Sequence, residues 1–317
     1  MTVLITGGMG FIGLHTARKF LDAGEDVVIT KFRTVREPSF IKDEFGKRVK
    51  VESLDSTSPF DCIDIVQKNK VDSIVHLVVP GLGALSAAED FRVNTISLIN
   101  ILEAGRLNGV KRVSVASSTA VYSNLKEGPF REDQPLPLEA HNPTEAFKKT
   151  DEILGGHYAD RTGLDVTFLR ISGIWGPLYH SMANLPSRMV HGALKGGPVD
   201  FAGARGGVPF EEDNGDLCYV KDCGKGIQMV HSATGLKHRT YNVSSGVATS
   251  NAMLRAATEK AIPGAQITLQ SGKGPGYRPN AALDLARTTA DTGYKPDFNV
   301  ESGVADYVGW LKAGNAT

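Results

Sequence analysis

Through the first half of the chain, short apolar runs alternate with amphipathic stretches. Residues 3–6 (VLIT) are apolar and β-branched over one strand length, which predicts a buried strand. Residues 11–24 (FIGLHTARKFLDAG) then repeat apolar positions at helical spacing and stop at Gly24. Runs at 26–30, 50–53, 73–79, 112–117 and 163–172 predict further strands. Residues 62–69 and 94–109 predict helices between them, and another helix begins near Pro143. Strand and helix alternate throughout, so the expected class is α/β: a doubly wound parallel sheet with helices on both faces.

After Trp175 the pattern loosens. Residues 193–216 are glycine-rich and loop-like, residues 219–233 read as a strand end and a helix, and residues 241–246 as a strand and turn. The expectation is a first domain over residues 1–173 and a smaller irregular lobe over most of 174–317. The helix near 219–233 is expected to pack back on the first domain.

Composition narrows the partners. The chain of 317 residues carries 35 basic and 35 acidic side chains, a formal net charge of zero. That balance argues against nucleic acid or an anionic membrane as a partner and leaves a small-molecule substrate. Cys62, Cys218 and Cys223 are odd in number and irregular in spacing, so they read as reduced structural thiols, not as a disulfide frame or metal site. The N-terminal residues MTVLITGG lack the basic and long apolar regions of a secretory signal. No apolar run approaches the roughly 20 residues that span a bilayer. A cytoplasmic, soluble protein is expected.

The first candidate for chemistry follows the first strand. Gly8, Gly10 and Gly13 form G-x-G-x-x-G between a strand and a helix. In that context the glycines allow a tight turn, a close approach to a pyrophosphate and close helix–sheet packing. The helix start adds free N–H groups and a partial positive charge. The next strand ends at Lys31, followed by Arg33 and Arg36, with no acid to meet a ribose 2′-hydroxyl. Within NAD(P), this favours NADP over NAD. Asp55, after the third strand, either reaches the adenine amino group or caps a turn.

Several further segments are specific together. They are TGGMGFIG (6–13), DSIVHLVV (72–79), FRVNTISLINILEAG (91–105), VASSTAVYS (115–123), LRISGIWGP (169–177), YVKDCGKGI (219–227) and GYKPDFNVESGVADYVGWLK (293–312). In these the chain resembles, over nearly its whole length, the extended short-chain dehydrogenase/reductase family of NAD(P)-dependent epimerases and dehydratases, built on a Rossmann sheet. The resemblance implies that Gly7, Gly8, Gly10, Phe11, Ile12 and Gly13 hold the cofactor. It also places Val78 and Val79 near the cofactor, where the family has small alanines. It implies a homodimer through the helices near 94–105 and 147–158.

For chemistry the resemblance implies a triad: a Ser or Thr that binds the substrate hydroxyl, a Tyr that moves the proton, and a Lys four residues later on the nicotinamide ribose. Ser118 takes the first place, with Thr119 beside the substrate. The pattern K-x-x-x-E selects Lys148 with Glu152, and the tyrosine position is then Thr144. A threonine hydroxyl is not usefully acidic, whereas a phenol starts near ~10 and falls beside an ammonium. The other register, Lys149 with Glu145, puts Ile153 where the acid should stand. Glu145, His141, Tyr122, Tyr179 and Lys148 itself are the alternative proton carriers. Asn184-Leu185 resembles a sugar-nucleotide loop and Arg278 could meet a diphosphate, but Ser172 and Gly173 stand where nucleotide-sugar members carry Asn. Gly203, Gly206 and Gly207 suggest a loop that closes over the substrate. Two readings remain: an epimerase, dehydratase or reductase acting on a sugar nucleotide or a smaller hydroxy or keto compound with a substitute proton carrier, or a non-catalytic NAD(P)-binding sensor.

Overall fold

The computed structural model describes residues 1–32, 35–79, 85–179, 181–204 and 207–315. The predicted alternation becomes β1 (Thr2–Thr6), α1 (Phe11–Asp22), β2 (Asp26–Lys31), β3 (Val49–Ser53), α2 (Pro59–Lys68), β4 (Ser73–His76), α3 (Ala87–Leu107), β5 (Val113–Ser118), α4 (Pro143–Thr162) and β6 (Val166–Ile171). Then follow β7 (Gly173–Trp175), α5 (Leu185–Lys195), β8 (Asn214–Tyr219), α6 (Val220–Ser232), β9 (Thr240–Val243), β10 (Ala248–Ser250), α7 (Asn251–Ala261), α8 (Ala286–Thr292) and α9 (Val300–Lys312).

The large sheet has the order β3-β2-β1-β4-β5-β6-β9, and every neighbouring pair is parallel. Strand order reverses between β1 and β4, so a crevice opens at the carboxyl ends of these strands. Alternate residues of each strand feed two cores. Val3, Ile5, Ile29, Val75 and Leu169 pack with Leu14, Phe20, Ile227 and Val230 of α1 and α6. Leu4, Val28, Ile74, Val113 and Phe168 pack with α2, α3 and α4 on the other face.

α6 lies so close to α1 that a Cβ on Gly224 would stand 2.8 Å from the His15 carbonyl carbon. The Arg112 guanidinium donates to the carbonyls of Val230, His231 and Ala233 and so terminates α6. The chain does not leave the large sheet once and for all. β7, β8 and β10 form a separate three-stranded sheet, whereas β9 returns to lie beside β6. A third core, with Trp175, Met189, Leu254 and Tyr307, joins α5, α7 and α9 around the small sheet.

Some element limits differ from expectation. β4 ends at His76 because the chain peels away after Leu77, whose N–H still reaches the Thr6 carbonyl. α3 starts at Ala87, seven residues before the predicted position 94, where a capping box of Ser86 and Glu89 nucleates it. Residues 163–165 do not join β6, because Gly163, at φ 75°, is the left-handed cap that ends α4. No described helix is long and apolar enough to cross a membrane.

Candidate active site

One half of the site is the turn between β1 and α1. Gly7 has φ 69° and opens the turn, and Gly10 N–H donates to its carbonyl at 2.9 Å. A Cβ on Gly13 would stand 2.4 Å from the Gly7 carbonyl oxygen, and one on Gly8 only 2.5 Å from the Ile29 Cβ. Gly10 is the N-cap and offers no side-chain acceptor, so the first-turn amides of Phe11, Ile12 and Gly13 are open to an anion. The backbone of Val78 closes the other side, with its nitrogen 3.3 Å from the place of a Cβ on Gly7. The chain therefore fits a dinucleotide pyrophosphate through a tight turn that a Cβ on Gly8 or Gly13 would force apart and whose first-turn amides stay open.

Lys31 is the last residue of β2, half-buried and in register with Ser53. Arg33 and Gly206 lie outside the described residues. Asp55 is exposed, and its Oδ1 accepts from the Thr57 N–H at 2.9 Å and hydroxyl at 2.7 Å, the turn that leads into α2.

The other half gathers at the end of β5. Ser118 caps a single 3₁₀ turn, Thr119–Tyr122, and its hydroxyl accepts from the Ala120 N–H at 3.1 Å. α4 packs on this turn and on β5. It is started by Asn142, which accepts from the Glu145 N–H, with Pro143 in the first turn. Thr144 is half-buried in that first turn and Lys148 is buried one turn further on.

The acid partners differ from the sequence pairing. Lys148 does not meet Glu152; its Nζ donates to Asp151 Oδ2 at 2.9 Å. Glu152 instead accepts from Arg170 of β6 and from the Ser117 hydroxyl. Residues 148 and 152 are one turn apart and could pair, but the guanidinium of Arg170 offers Glu152 a bidentate fit that an ammonium cannot. Asp151 was not singled out in the sequence, although the K-x-x-D spacing in KKTDE was visible.

The alternative proton carriers fare unequally. The Tyr122 hydroxyl donates to Asn242 and accepts from Arg170, and burial pushes it up to about 12. Glu145 is fully buried and accepts from Lys149, Asn124 and the His141 N–H; burial pushes it up, but these donors win and hold it below its ordinary value. Lys149 also donates to the carbonyls of Pro137 and Glu139, so Glu145 and Lys149 staple the 124–140 loop to α4. His141 is exposed at the start of α4. Tyr179 packs edge-on against Phe11 at 5.0 Å, beside the glycine turn. Deeper in, His76 sits between the Thr6 and Ser97 hydroxyls, and burial, with the charge of Lys148, lowers it to about 3.

On the lobe side, Asn184 caps α5 and donates to the Ile174 carbonyl. Leu185, Arg188, Phe210, Asp213, Asn251 and Gly276 line a cavity of about 470 Å³. Arg278 donates to the Tyr122 and Leu125 carbonyls and lies over the Phe130 ring.

This pairing of a glycine turn with a Ser–Lys site at the strand ends defines a dinucleotide-dependent enzyme fold. Residues 3–244 match the NAD dependent epimerase/dehydratase family, and the chain belongs to that family. Over 98% of its length and 96% of the relative, it is 26% identical to a probable UDP-glucuronate 4-epimerase of Rhizobium meliloti. It is 27% identical to a dTDP-glucose 4,6-dehydratase of Streptomyces griseus, covering 97% and 93% of the two chains. A UDP-glucose 4-epimerase structure from Bifidobacterium longum, in complex with NAD+ and UDP, superposes with a TM-score of 0.83 at 22% identity, covering 99% and 98%. The relatives are enzymes and lend no support to a non-catalytic sensor.

Proposed function

We propose that this enzyme acts at a carbinol or carbonyl carbon of a sugar nucleotide. Gly7, Gly8, Gly10, Phe11, Ile12 and Gly13 hold the pyrophosphate, and Val78 lines the cofactor. Asp55 serves the turn before α2, close to the adenine end. Lys31 faces the 2′ position and, with Arg33, supports use of NADP beside NAD. When bound, the cofactor supplies a reversible two-electron oxidation at the substrate carbon. Ser118 and Thr119 orient the substrate oxygen, Lys148 holds the ribose, and Thr144 lines the site where a phenol would stand. The cavity beside Leu185 and Phe210 takes the nucleotide end.

The observation that carries this reading is the common edge of the two halves. The glycine turn leaves β1, and the Ser118 turn leaves β5, at the same carboxyl edge of one parallel sheet, with only β4 between them. The relatives named for UDP- and dTDP-sugars, matched along almost the full chain, support the substrate class.

The test incubates the protein with NAD+ or NADP+ and, in turn, UDP-glucose, UDP-glucuronate and dTDP-glucose, with products separated by chromatography. Conversion of one of them is expected, and Ser118→Ala is expected to lower it about 100-fold or more. Thr144→Tyr is expected to raise it. No conversion of any of the three, with cofactor bound, would remove the sugar-nucleotide assignment.

A homodimer is part of the proposal. α3 and α4 share an outer face on which Phe91 is 63% exposed, with Ile99, Ile153 and Leu154 also exposed. Phe91 and Phe147 approach ring to ring at 6.5 Å, and the Tyr158 hydroxyl donates to Glu103 to tie the two helices together. An apolar face of this kind on adjacent helices suits a two-fold contact.

A further inference from the structure

Lys148 and Asp151 stand one turn apart on α4, with side chains only 7% and 11% exposed. An ammonium withdrawn from water needs an opposite charge, or its charged form becomes costly. The other acids considered on α3 and α4 have partners of their own, and His76, lowered to about 3 by burial and by the charge of Lys148, supplies no negative charge. Asp90 of α3 accepts from Asn94 on its own helix. Glu145 belongs to Lys149, and Glu152 to Arg170. Among the described residues, Asp151 is the one carboxylate that meets the Lys148 ammonium.

We propose that Asp151 is a positioning residue of the active site, which holds the buried Lys148 ammonium by its ion pair and so fixes its orientation toward the cofactor. The inference rests on the reading that Lys148 meets the cofactor ribose. The Asp151 bond uses one of three ammonium donors and leaves two for the ribose. Burial raises the Asp151 carboxyl while the Lys148 charge opposes this, so each group depends on the other.

The test is NADH titration of the full chain, followed by protein fluorescence, together with thermal unfolding. Lys148→Met is expected to weaken NADH binding by about tenfold, the scale of one charge-assisted hydrogen bond. Asp151→Asn is expected to weaken it by a similar factor. The double variant is expected to bind no more weakly than Lys148→Met alone, because both losses act through one ammonium. Asp151→Glu is expected to stay within about threefold of the native chain, since it keeps the charge. A merely structural Asp151 would lower the melting temperature while its effect on affinity stayed absent or simply added to that of Lys148→Met. If Asp151→Asn does not fold, Asp151→Ser replaces it with the same expectations. Native affinity in the Asp151 variant, with Lys148→Met weakened, would overturn the positioning role alone. Native affinity in Lys148→Met would overturn the site reading and the positioning role with it.

Discussion

Glu152 accepts both arms of the Arg170 guanidinium, at 2.9 Å and 2.7 Å, while the Ser117 hydroxyl donates to it at 2.5 Å. The pair is 12% and 6% exposed and ties α4 to β5 and β6 directly beneath the Ser118 turn. Glu152→Gln leaves the guanidinium buried without its counter-charge. The expected cost is about 3–5 kcal/mol, seen as a fall in melting temperature on the order of 10 °C. Adding Arg170→Met should recover part of the loss.

Acid should destabilise the fold through its buried histidines. His231 lies between the Ser73 and Ser114 hydroxyls, and burial lowers it to about 3. The unfolded chain takes up a proton near the ordinary value, about 6.5, while the folded chain does not. The contribution of His231 is therefore complete above that value and is lost as pH falls from there toward 3. By pH 5 the loss is about 2 kcal/mol for this one residue. His15 and His76 act in the same direction, and the raised carboxyls of Asp216 and Asp222 oppose them. Unfolding followed at pH 7 and pH 5 should show the drop, and His231→Gln should shrink it.

The glycine turn leaves no room for a methyl group. Gly13→Ala would force a Cβ against backbone that cannot rotate away. NADH affinity should fall by at least about tenfold, with the chain still folded by circular dichroism. Unchanged affinity would place the cofactor elsewhere.

Phe91→Asp puts a charge on the exposed α3 face without touching the core. Light scattering should report twice the mass of one chain for the native protein and the single mass for the variant. A native monomer would end the dimer proposal.

Lys31→Glu should favour NADH over NADPH by about tenfold relative to the native chain, because an acid repels a 2′-phosphate and accepts from a 2′-hydroxyl. The ratio of the two dissociation constants is the measurement. An unmoved ratio would free Lys31 from the cofactor.

The local signals for the first half of the fold were strong because apolar runs and glycine spacing act over a few residues. Val3, Ile5 and Ile29 announce their strands by themselves, and Gly13 announces the turn. The site was legible only in outline. Lys148 and Ser118 follow from motif spacing, but their partners depend on which charge lies beneath α4. Arg170 sits on a strand 18 residues beyond Glu152, and nothing local links the two. The same limit hid the carbonyl partners of Arg278 in the turn after Ser118, which lie far from it in the sequence. The return of residues 240–243 to the large sheet was hidden for a related reason, since a short apolar strand carries no label for its partner.

That return sets an order for synthesis. As the ribosome releases the chain, β6 is the outermost strand of a sheet whose last member has not yet been made. Its open edge must wait through β7, α5, β8 and α6 before β9 arrives to cover it. An uncovered parallel edge is a surface on which other chains can pair. The lobe is thus made while the large sheet still lacks its last strand.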